Sequence, residues 1–269
     1  MRDFTLKSYR SLMEAFQASG YRFQTFEEFI EKPAEGKMVV MRHDVDEKAY
    51  NALKIAQLEH DLGIRSTYFF RIVKQSNVPE VIRGIATLGH EIGYHYEDLA
   101  TAEGDMEKAF KSFEKNLVYF REYYPVRSVC MHGSSTSKYD NRLLWKAHQL
   151  SDFGLIGEPY LSVDFDKVFY LTDTGYAWDG GKFATRDIVV NDFGLKFHAT
   201  QQIVSSIMEG KFPEKALILA HTLWTDSIMQ WMALHLREFF RNNMKLLAKN
   251  NQGVAKMYKK MVEMYWKKV

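Results

Sequence analysis

Short apolar runs alternate with amphipathic segments over most of the chain, and this alternation predicts an α/β protein. The helical segments carry apolar residues at spacings of three and four, whereas the runs between them are brief and almost entirely apolar. Strands are predicted at 39–46, 66–71, 91–95, 128–131 and 216–221. The repeated order of strand, helix, glycine and strand is typical of parallel strands joined by right-handed crossovers.

The helices between these strands indicate one continuous domain. They are predicted at 5–19, from Thr25, and at 47–62, 77–88, 105–123, 141–150, 201–209 and 227–268, the last with a break near 250–253. Residues 152–196 alternate short apolar runs with Gly and Asp and predict strands and loops without clear boundaries. Because no repeat or linker interrupts the chain, we predict a single domain, with N-terminal helices at 1–36, a core at 37–224 and a C-terminal helical segment at 225–269.

Composition narrows the function classes. The 269 residues are 46% hydrophobic and 14% aromatic, so the chain can bury a large core. A net charge of +2 and the absence of a recognisable nucleic-acid module argue against a nucleic-acid partner. The sole cysteine, Cys130, excludes an internal disulfide, and the first 20 residues contain no long apolar run, so a cytoplasmic location is expected.

The first core strand ends in polar residues that need a cation. Along an extended strand, Arg42, Asp44 and Asp46 share one face and His43 points to the other. Two neighbouring carboxylates in an apolar interior require Arg42, a metal ion or a shared proton. A structural Arg–Asp pair that closes the strand is the simpler alternative.

Three further predicted strands end in or beside a histidine: His95, His132 and His221. The carboxyl ends of parallel strands lie on one rim, so these imidazoles are expected to gather near the aspartates. Each histidine alone is more often structural, but the set resembles a mononuclear metal centre with acid and base groups beside it.

These motifs resemble the polysaccharide deacetylases of carbohydrate esterase family 4, which share the NodB-homology domain. The resemblance rests on Asp44 and Asp46, on the run from Gly89 to His95, and on Leu219, Ala220 and His221. It implies an α/β fold, a distorted (β/α)7 barrel, with extra N- and C-terminal helices. It also implies a metal-dependent deacetylase in which Asp44 is the catalytic base, Asp46 and His95 bind the metal, and His221 is the general acid.

One family position departs from the pattern. The family's second metal histidine lies four residues after the first, and here that residue is Leu99, which cannot bind a metal. His132 is the favoured third ligand and Glu97 the alternative, because two nitrogens and one carboxylate suit Zn²⁺ and leave a position open for water. A site that holds no metal is the remaining alternative.

The expected substrate is a carbohydrate or a sugar intermediate that carries an N- or O-acyl group. Ser134, Trp178 and Trp224 are candidate substrate contacts, since a hydroxyl can bond a sugar and an indole can stack on one, although turn formation and core packing explain the same residues. A catalytically silent glycan-binding member of the same fold, or an amidohydrolase on a non-sugar molecule, is the alternative function.

The C-terminal segment is strongly basic. From Arg237 to Val269 there are nine Lys or Arg against Glu238 and Glu263, and Arg237, Arg241, Lys245 and Lys249 recur every four residues. The stripe predicts a solvated outer face or, alternatively, contact with anionic lipid headgroups or a lipid-linked glycan. The sequence does not predict the oligomeric state.

Overall fold

The computed structural model of the chain describes residues 2–133, 137–178, 186, 189 and 193–268, with the side chains of 249, 250, 263 and 265–268 left out. Ten helices are present in these residues: α1 Leu6–Ala18, α2 Phe26–Glu31, α3 Ala49–Asp61, α4 Pro79–Thr87, α5 Asp98–Thr101, α6 Met106–Arg121, α7 Pro159–Ser162, α8 Thr200–Met208, α9 Ile228–Asn250 and α10 Gln252–Lys268. Seven strands accompany them: β1 Arg22–Gln24, β2 Met38–Val45, β3 Thr67–Phe70, β4 Glu91–Tyr96, β5 Val129–Met131, β6 Phe169–Thr172 and β7 Lys215–Leu219.

The strands form one curled parallel sheet in the order β5, β4, β3, β2, β7, β6, and β1 also pairs with β2. Strand β2 is central: its first half pairs with β1 and β7, and its second half pairs with β3. All eight of its residues are buried, as the apolar run predicted. The fold class, a distorted (β/α) barrel of the deacetylase type with additional terminal helices, is therefore confirmed.

The hydrophobic core lies on both faces of this sheet. The concave side holds a cluster that includes Phe26, Phe69 and Leu217, and two larger clusters lie between the sheet and the helices outside it. Gly93 on β4 is required by close packing, since an added Cβ would overlap the Phe69 ring. The Phe69 ring of β3 thereby packs directly over Gly93 of β4.

The structure corrects the segment 141–150, which the pattern predicted as an α-helix. It forms a 3₁₀ helix, Asn141–Lys146, followed by a second at Leu150–Phe153. The Asn141 side chain accepts a hydrogen bond from the Ala100 amide and donates one to the carbonyl of His132, which fixes the start of the segment against two other loops. The short elements β1 and α7 were not predicted from the sequence.

No helix among the described residues combines the length and apolar character needed to cross a bilayer.

Candidate metal centre

The candidate site lies at the carboxyl ends of the parallel strands. Asp44 is the last residue but one of β2, and Asp46 follows that strand directly. His95 lies on β4, His132 follows β5, and His221 lies two residues beyond β7. A backbone hydrogen bond from the His132 amide to the Tyr96 carbonyl extends the β4–β5 pairing and holds His132 beside His95.

Asp46 lies close to two of the histidines, His95 and His132. Its Oδ1 atom lies 3.6 Å from His95 Nε2 and 3.5 Å from His132 Nε2. The same oxygen is buried and forms no hydrogen bond with any described residue, and Arg71 approaches it no closer than 3.9 Å. A buried carboxylate oxygen without a partner is costly unless a cation or a donor completes its surroundings.

Both histidines turn Nε2 toward Asp46, because Nδ1 of each ring is hydrogen-bonded to another acceptor. His95 Nδ1 lies 2.9 Å from the carbonyl of Cys130 and therefore donates its proton there. His132 Nδ1 lies 2.9 Å from Glu97 Oε2 and donates to that carboxylate. In the neutral imidazole that metals bind, each Nε2 then carries a lone pair.

The pKa shifts agree with this assignment. Burial lowers the pKa of His95 to about 4, so the ring is neutral near pH 7. Burial alone would raise the pKa of Asp46, but His132, Arg71 and His95 hold it well below its usual range. Asp46 is therefore anionic at neutral pH, next to a neutral imidazole.

Two of the three distances suit a divalent metal, those from Asp46 Oδ1 to the two histidines. Ligand atoms at zinc distances of about 2.0–2.1 Å and tetrahedral angles lie about 3.3 Å from one another. The two measured distances from Asp46 Oδ1, 3.6 and 3.5 Å, are close to that value. The side chains of Asp46 and His132 remain 25% and 15% exposed, so the site opens to solvent on one side.

Glu97, the alternative third ligand, has other partners. Arg71 donates to both of its carboxylate oxygens, at 2.8 Å each, and His132 Nδ1 donates to Oε2. Burial raises the pKa of Glu97 by itself, yet Arg71 and His132 lower it to about 2, so the group is anionic. In this position Glu97 orients His132 and does not face Asp46.

Asp44 occupies the concave side next to these groups. Its Oδ2 atom accepts a hydrogen bond from Arg42 Nη2 at 3.1 Å and lies 3.7 Å from His95 Nε2. Its Oδ1 atom is buried and has no hydrogen-bond partner among the described residues. The expected Arg–Asp pair is thus present, and it leaves one carboxylate oxygen available.

Among the described residues, Asp44, His95 and Cys130 form a group whose ligand atoms all lie within 4.8 Å of one another. The Cys130 thiol, however, points to the carbonyl of Met131 at 3.7 Å, and Asp44 is already paired with Arg42. Asp46, His95 and His132 stay the metal ligands predicted from the sequence, and Asp44, His95 and Cys130 are the alternative set.

His221 is held by Asp173, which follows strand β6. Asp173 Oδ1 accepts from His221 Nδ1 at 2.7 Å, and the carboxylate also accepts from the His221 amide. Burial by itself lowers the pKa of His221, but Asp173 and, to a smaller degree, Asp46 and Asp44 raise it to about 10. The imidazole is therefore protonated at neutral pH.

Two predicted substrate contacts have a structural role. Trp178 is 4% exposed and donates to Thr200 Oγ1 at 2.8 Å, and Trp224 is 1% exposed and donates to Asp173 Oδ2 at 2.9 Å. Because both side chains are buried, neither indole has a free face on which a sugar could stack. Ser134, the third predicted contact, lies outside the described residues.

Leu99 is buried in the core cluster beside α6.

Asp173 and Arg71 contribute to the site but were not predicted. Both follow a strand directly, at the ends of β6 and β3, which is the signal that identified the aspartates and histidines. Asp173 was missed because the pattern at 152–196 did not define strand β6. Arg71 was missed because an arginine after an aromatic strand has many structural uses.

No protein-family model and no curated protein sequence matches the chain. Solved structures do match it, and they include an esterase and a pseudoenzyme of carbohydrate esterase family 4 and a peptidoglycan N-acetylglucosamine deacetylase. The chain resembles carbohydrate esterase family 4. The matches include a pseudoenzyme of this family from Bacillus anthracis, at 12% identity and a TM-score of 0.45, over 76% of this chain and 62% of that one.

Two other matches cover more of their own chains. A family 4 carbohydrate esterase from Streptomyces lividans in complex with acetate is 14% identical, with a TM-score of 0.41, over 80% of this chain and 90% of that one. A Streptococcus mutans esterase of the same family is 16% identical, with a TM-score of 0.44, over 91% of both chains. The chain spans less than two thirds of the Bacillus anthracis protein. At these identities the likeness concerns the fold.

Proposed function

We propose that this protein is a metal-dependent deacylase that removes an N- or O-acyl group from a carbohydrate or a sugar intermediate. The observation that carries the proposal is the buried, unpartnered Asp46 Oδ1 between the Nε2 atoms of His95 and His132. The carbohydrate substrate comes from the resemblance of the motifs around Asp44, His95 and His221 to the deacetylase family. Zinc as the metal and the cytoplasm as the location stay predictions.

Asp46, His95 and His132 would hold the metal, and Glu97 and the Cys130 carbonyl would orient the two imidazoles. A divalent metal bound there would polarise the acyl carbonyl and lower the pKa of the attacking water. The 25% exposure of Asp46 leaves room on one side for water and substrate. The donor set of two nitrogens and one carboxylate is one that catalytic zinc sites use.

Asp44 is the proposed general base. Arg42 fixes Oδ2 at 3.1 Å, and the free Oδ1 is the atom that would accept a proton from the water. The general base must lie within reach of the water that it deprotonates, and Asp44 Oδ2 lies 3.7 Å from His95 Nε2, beside the proposed metal.

His221 is the proposed general acid. With a pKa raised to about 10 by Asp173, it carries a proton at neutral pH that it can give to the leaving amine or alkoxide. Asp173 also accepts from Trp224 and from the His221 amide, so the orientation of the imidazole is fixed by three hydrogen bonds to one carboxylate.

A catalytically silent glycan-binding protein is the second candidate. The observation that favours it is Leu99, which is 2% exposed at the position where the family has its second metal histidine. In this case, the cluster around Asp46 would bind a sugar or an ion without turnover.

The test measures acetate released from N- and O-acetylated oligosaccharides, with wild type and variants dialysed against chelator and then supplied with Zn²⁺. We expect chelated wild type to be inactive and to recover with Zn²⁺. Asp44→Asn should lose about 100-fold or more in rate while it keeps the metal, since general-base catalysis contributes about 10²–10⁴-fold. Asp164→Asn, an exposed aspartate remote from the rim, is the matched control.

Two outcomes would contradict the deacylase. A wild-type protein that binds no metal in elemental analysis removes the basis for the chemistry. A protein that binds acetylated oligosaccharides but releases no acetate, in wild type and Asp44→Asn alike, is the glycan-binding protein of the second candidate.

A further inference from the structure

The C-terminal helical hairpin, defined as α9 and α10, has an unusual surface. Of the sixteen large hydrophobic side chains that are exposed among the described residues, eleven lie between Ile228 and Met264. Met229 is 84% exposed and Phe239 63%. Isolated exposed apolar residues are ordinary on a protein surface, but a contiguous set marks an interaction site.

The exposed residues of α9 share one face. At about 100° per residue, they fall within an arc of about 120° along a helix about 35 Å long. They are Ile228, Met229, Met232, Leu236, Phe239, Phe240, Leu246 and Leu247. The helix therefore presents an apolar face to the outside over its whole length.

Arg237 of the basic stripe on α9 faces the body of the protein, whereas the sequence pattern predicted a solvated outer face. Arg237 lies 2.5 Å from Glu47 and 3.0 Å from Glu238, and Arg241 lies 3.2 Å from Glu238. The Arg237–Glu47 pair joins α9 to the protein next to Asp46, the residue before Glu47, whereas Glu238 lies on α9 itself. The apolar face thus points outward while this ion pair lies on another side of the helix.

Helix α10 extends this surface and adds positive charge. Met257, Met261 and Met264 are exposed at a spacing of four and three, which places them on one face. Lys256, Lys259 and Lys260 are also exposed on α10. A mainly apolar cavity of about 400 Å³ between the helices is lined by Phe240, Met244, Tyr258, Met261 and Val262, together with Arg237 and Arg241.

We propose that the hairpin binds the surface of an anionic lipid bilayer, with the apolar face of α9 inserted among the acyl chains and the lysines of α10 against the headgroups. A helix in this orientation keeps its backbone hydrogen bonds and buries its exposed apolar side chains. Each lysine near an anionic surface adds about 1 kcal/mol of attraction, a factor of about five in binding.

The charge of the hairpin favours an anionic bilayer over a second copy of the chain as its binding partner. Beyond the paired arginines, residues 242–269 hold seven lysines and one acidic residue, whereas the chain as a whole has a net charge of only +2. Two hairpins packed face to face would bring like charges together, and anionic headgroups would neutralise them. The proposal goes beyond the deacylase and holds whether or not the metal centre is active.

The test is co-sedimentation of the full chain with vesicles of phosphatidylcholine alone or mixed with phosphatidylglycerol. We expect binding to the mixed vesicles, little binding to the neutral ones, and weakening at high salt. Lys256→Gln/Lys259→Gln/Lys260→Gln should weaken binding about 100-fold. The same change at Lys108, Lys111 and Lys115 on α6, which are also exposed, is the charge-matched control.

A second pair of variants tests the apolar face. Met232 on α9 and Met208 on α8 are both 59% exposed, so Met232→Gln and Met208→Gln remove the same side chain at the same exposure. We expect about tenfold weaker binding for Met232→Gln and no change for Met208→Gln. Equal effects of the paired variants, absence of binding to mixed vesicles, or hairpin-dependent dimers in light scattering would overturn the proposal.

Discussion

At the scale of single residues, the candidate centre is a set of side chains whose hydrogen bonds determine their chemistry. His95 and His132 differ in burial, yet each donates Nδ1–H to an oxygen acceptor and turns Nε2 toward Asp46 Oδ1. His221, like His132, donates Nδ1–H to a carboxylate, that of Asp173, which raises the pKa of His221 to about 10. The proposed ligands are the two rings whose Nε2 atoms face Asp46 Oδ1, whatever the acceptor at Nδ1.

Replacement of Asp173 by Asn should lower the pKa of His221 from about 10 toward the ordinary value of about 6.5, because it removes the carboxylate charge that raises it. The raised pKa in the wild type stabilises the fold fully below about pH 6.5, and this stabilisation is lost as pH rises through about 10. The alkaline loss of activity should shift to lower pH in the variant. NMR titration of the His221 ring measures the pKa directly.

Asp164→Asn is the matched control, since Asp164 is exposed and pairs only with Lys167 among the described ion pairs. An unchanged His221 titration in Asp173→Asn would show that the charge of Asp173 does not set the protonation of His221.

At the scale of elements, strand β2 connects two polar clusters on opposite faces of the sheet. Asp44 faces the candidate centre, and His43 faces a buried carboxylate, Glu59, on α3. Glu59 also accepts hydrogen bonds from Tyr9, Ser66 and Tyr68, so it joins α1, α3, β2 and the start of β3. His43 Nδ1 also bonds to the carbonyl of Ala220, the residue before His221.

Replacement of Glu59 by Gln should destabilise the fold by about 3–5 kcal/mol, because an amide leaves buried donors unpaired. Burial alone would raise the pKa of Glu59, but His43, His90 and Tyr68 lower it to about 2. The wild type should therefore lose stability as pH falls from about 4.5 to about 2, and the variant should lack this loss. Denaturant unfolding across this pH range measures both effects.

The exposed Glu114→Gln on α6 serves as the control, with an expected change within about 0.5 kcal/mol. A Glu59→Gln protein as stable as the wild type at neutral pH would mean that the buried cluster does not join the helices to the sheet.

At the scale of the whole molecule, the proposed metal would connect the ends of β2, β4 and β5, which lie far apart in sequence. A ligand that binds only the folded state stabilises it by about 2.7 kcal/mol at a hundredfold excess over its Kd. For a chain of this size, that corresponds to an increase of about 5–10 °C in Tm. We expect Zn²⁺ to raise the Tm of the wild type by this amount and that of Asp46→Asn by much less.

Arg71 provides a check on this prediction, because it lies 3.9 Å from Asp46 Oδ1 and is the nearest guanidinium. If Zn²⁺ leaves the Tm of the wild type unchanged, Arg71 is the counter-ion of Asp46 and the proposed metal centre is wrong. Differential scanning calorimetry with and without chelator separates the two cases.

The sequence determined the parallel α/β fold and the strand ends that carry polar groups, because apolar runs, helical periodicity and glycines are local signals. It also predicted the opposite faces of His43 and Asp44, since a strand alternates its side chains. Only the tertiary structure decided that Glu97 contacts Arg71, that Asp173 holds His221 and that Trp178 and Trp224 are buried, because these depend on packing between distant segments. The outward apolar face of α9 was likewise decided by the tertiary structure. Periodicity defines two faces of a helix, and contacts such as the Arg237–Glu47 ion pair determine which face meets the protein.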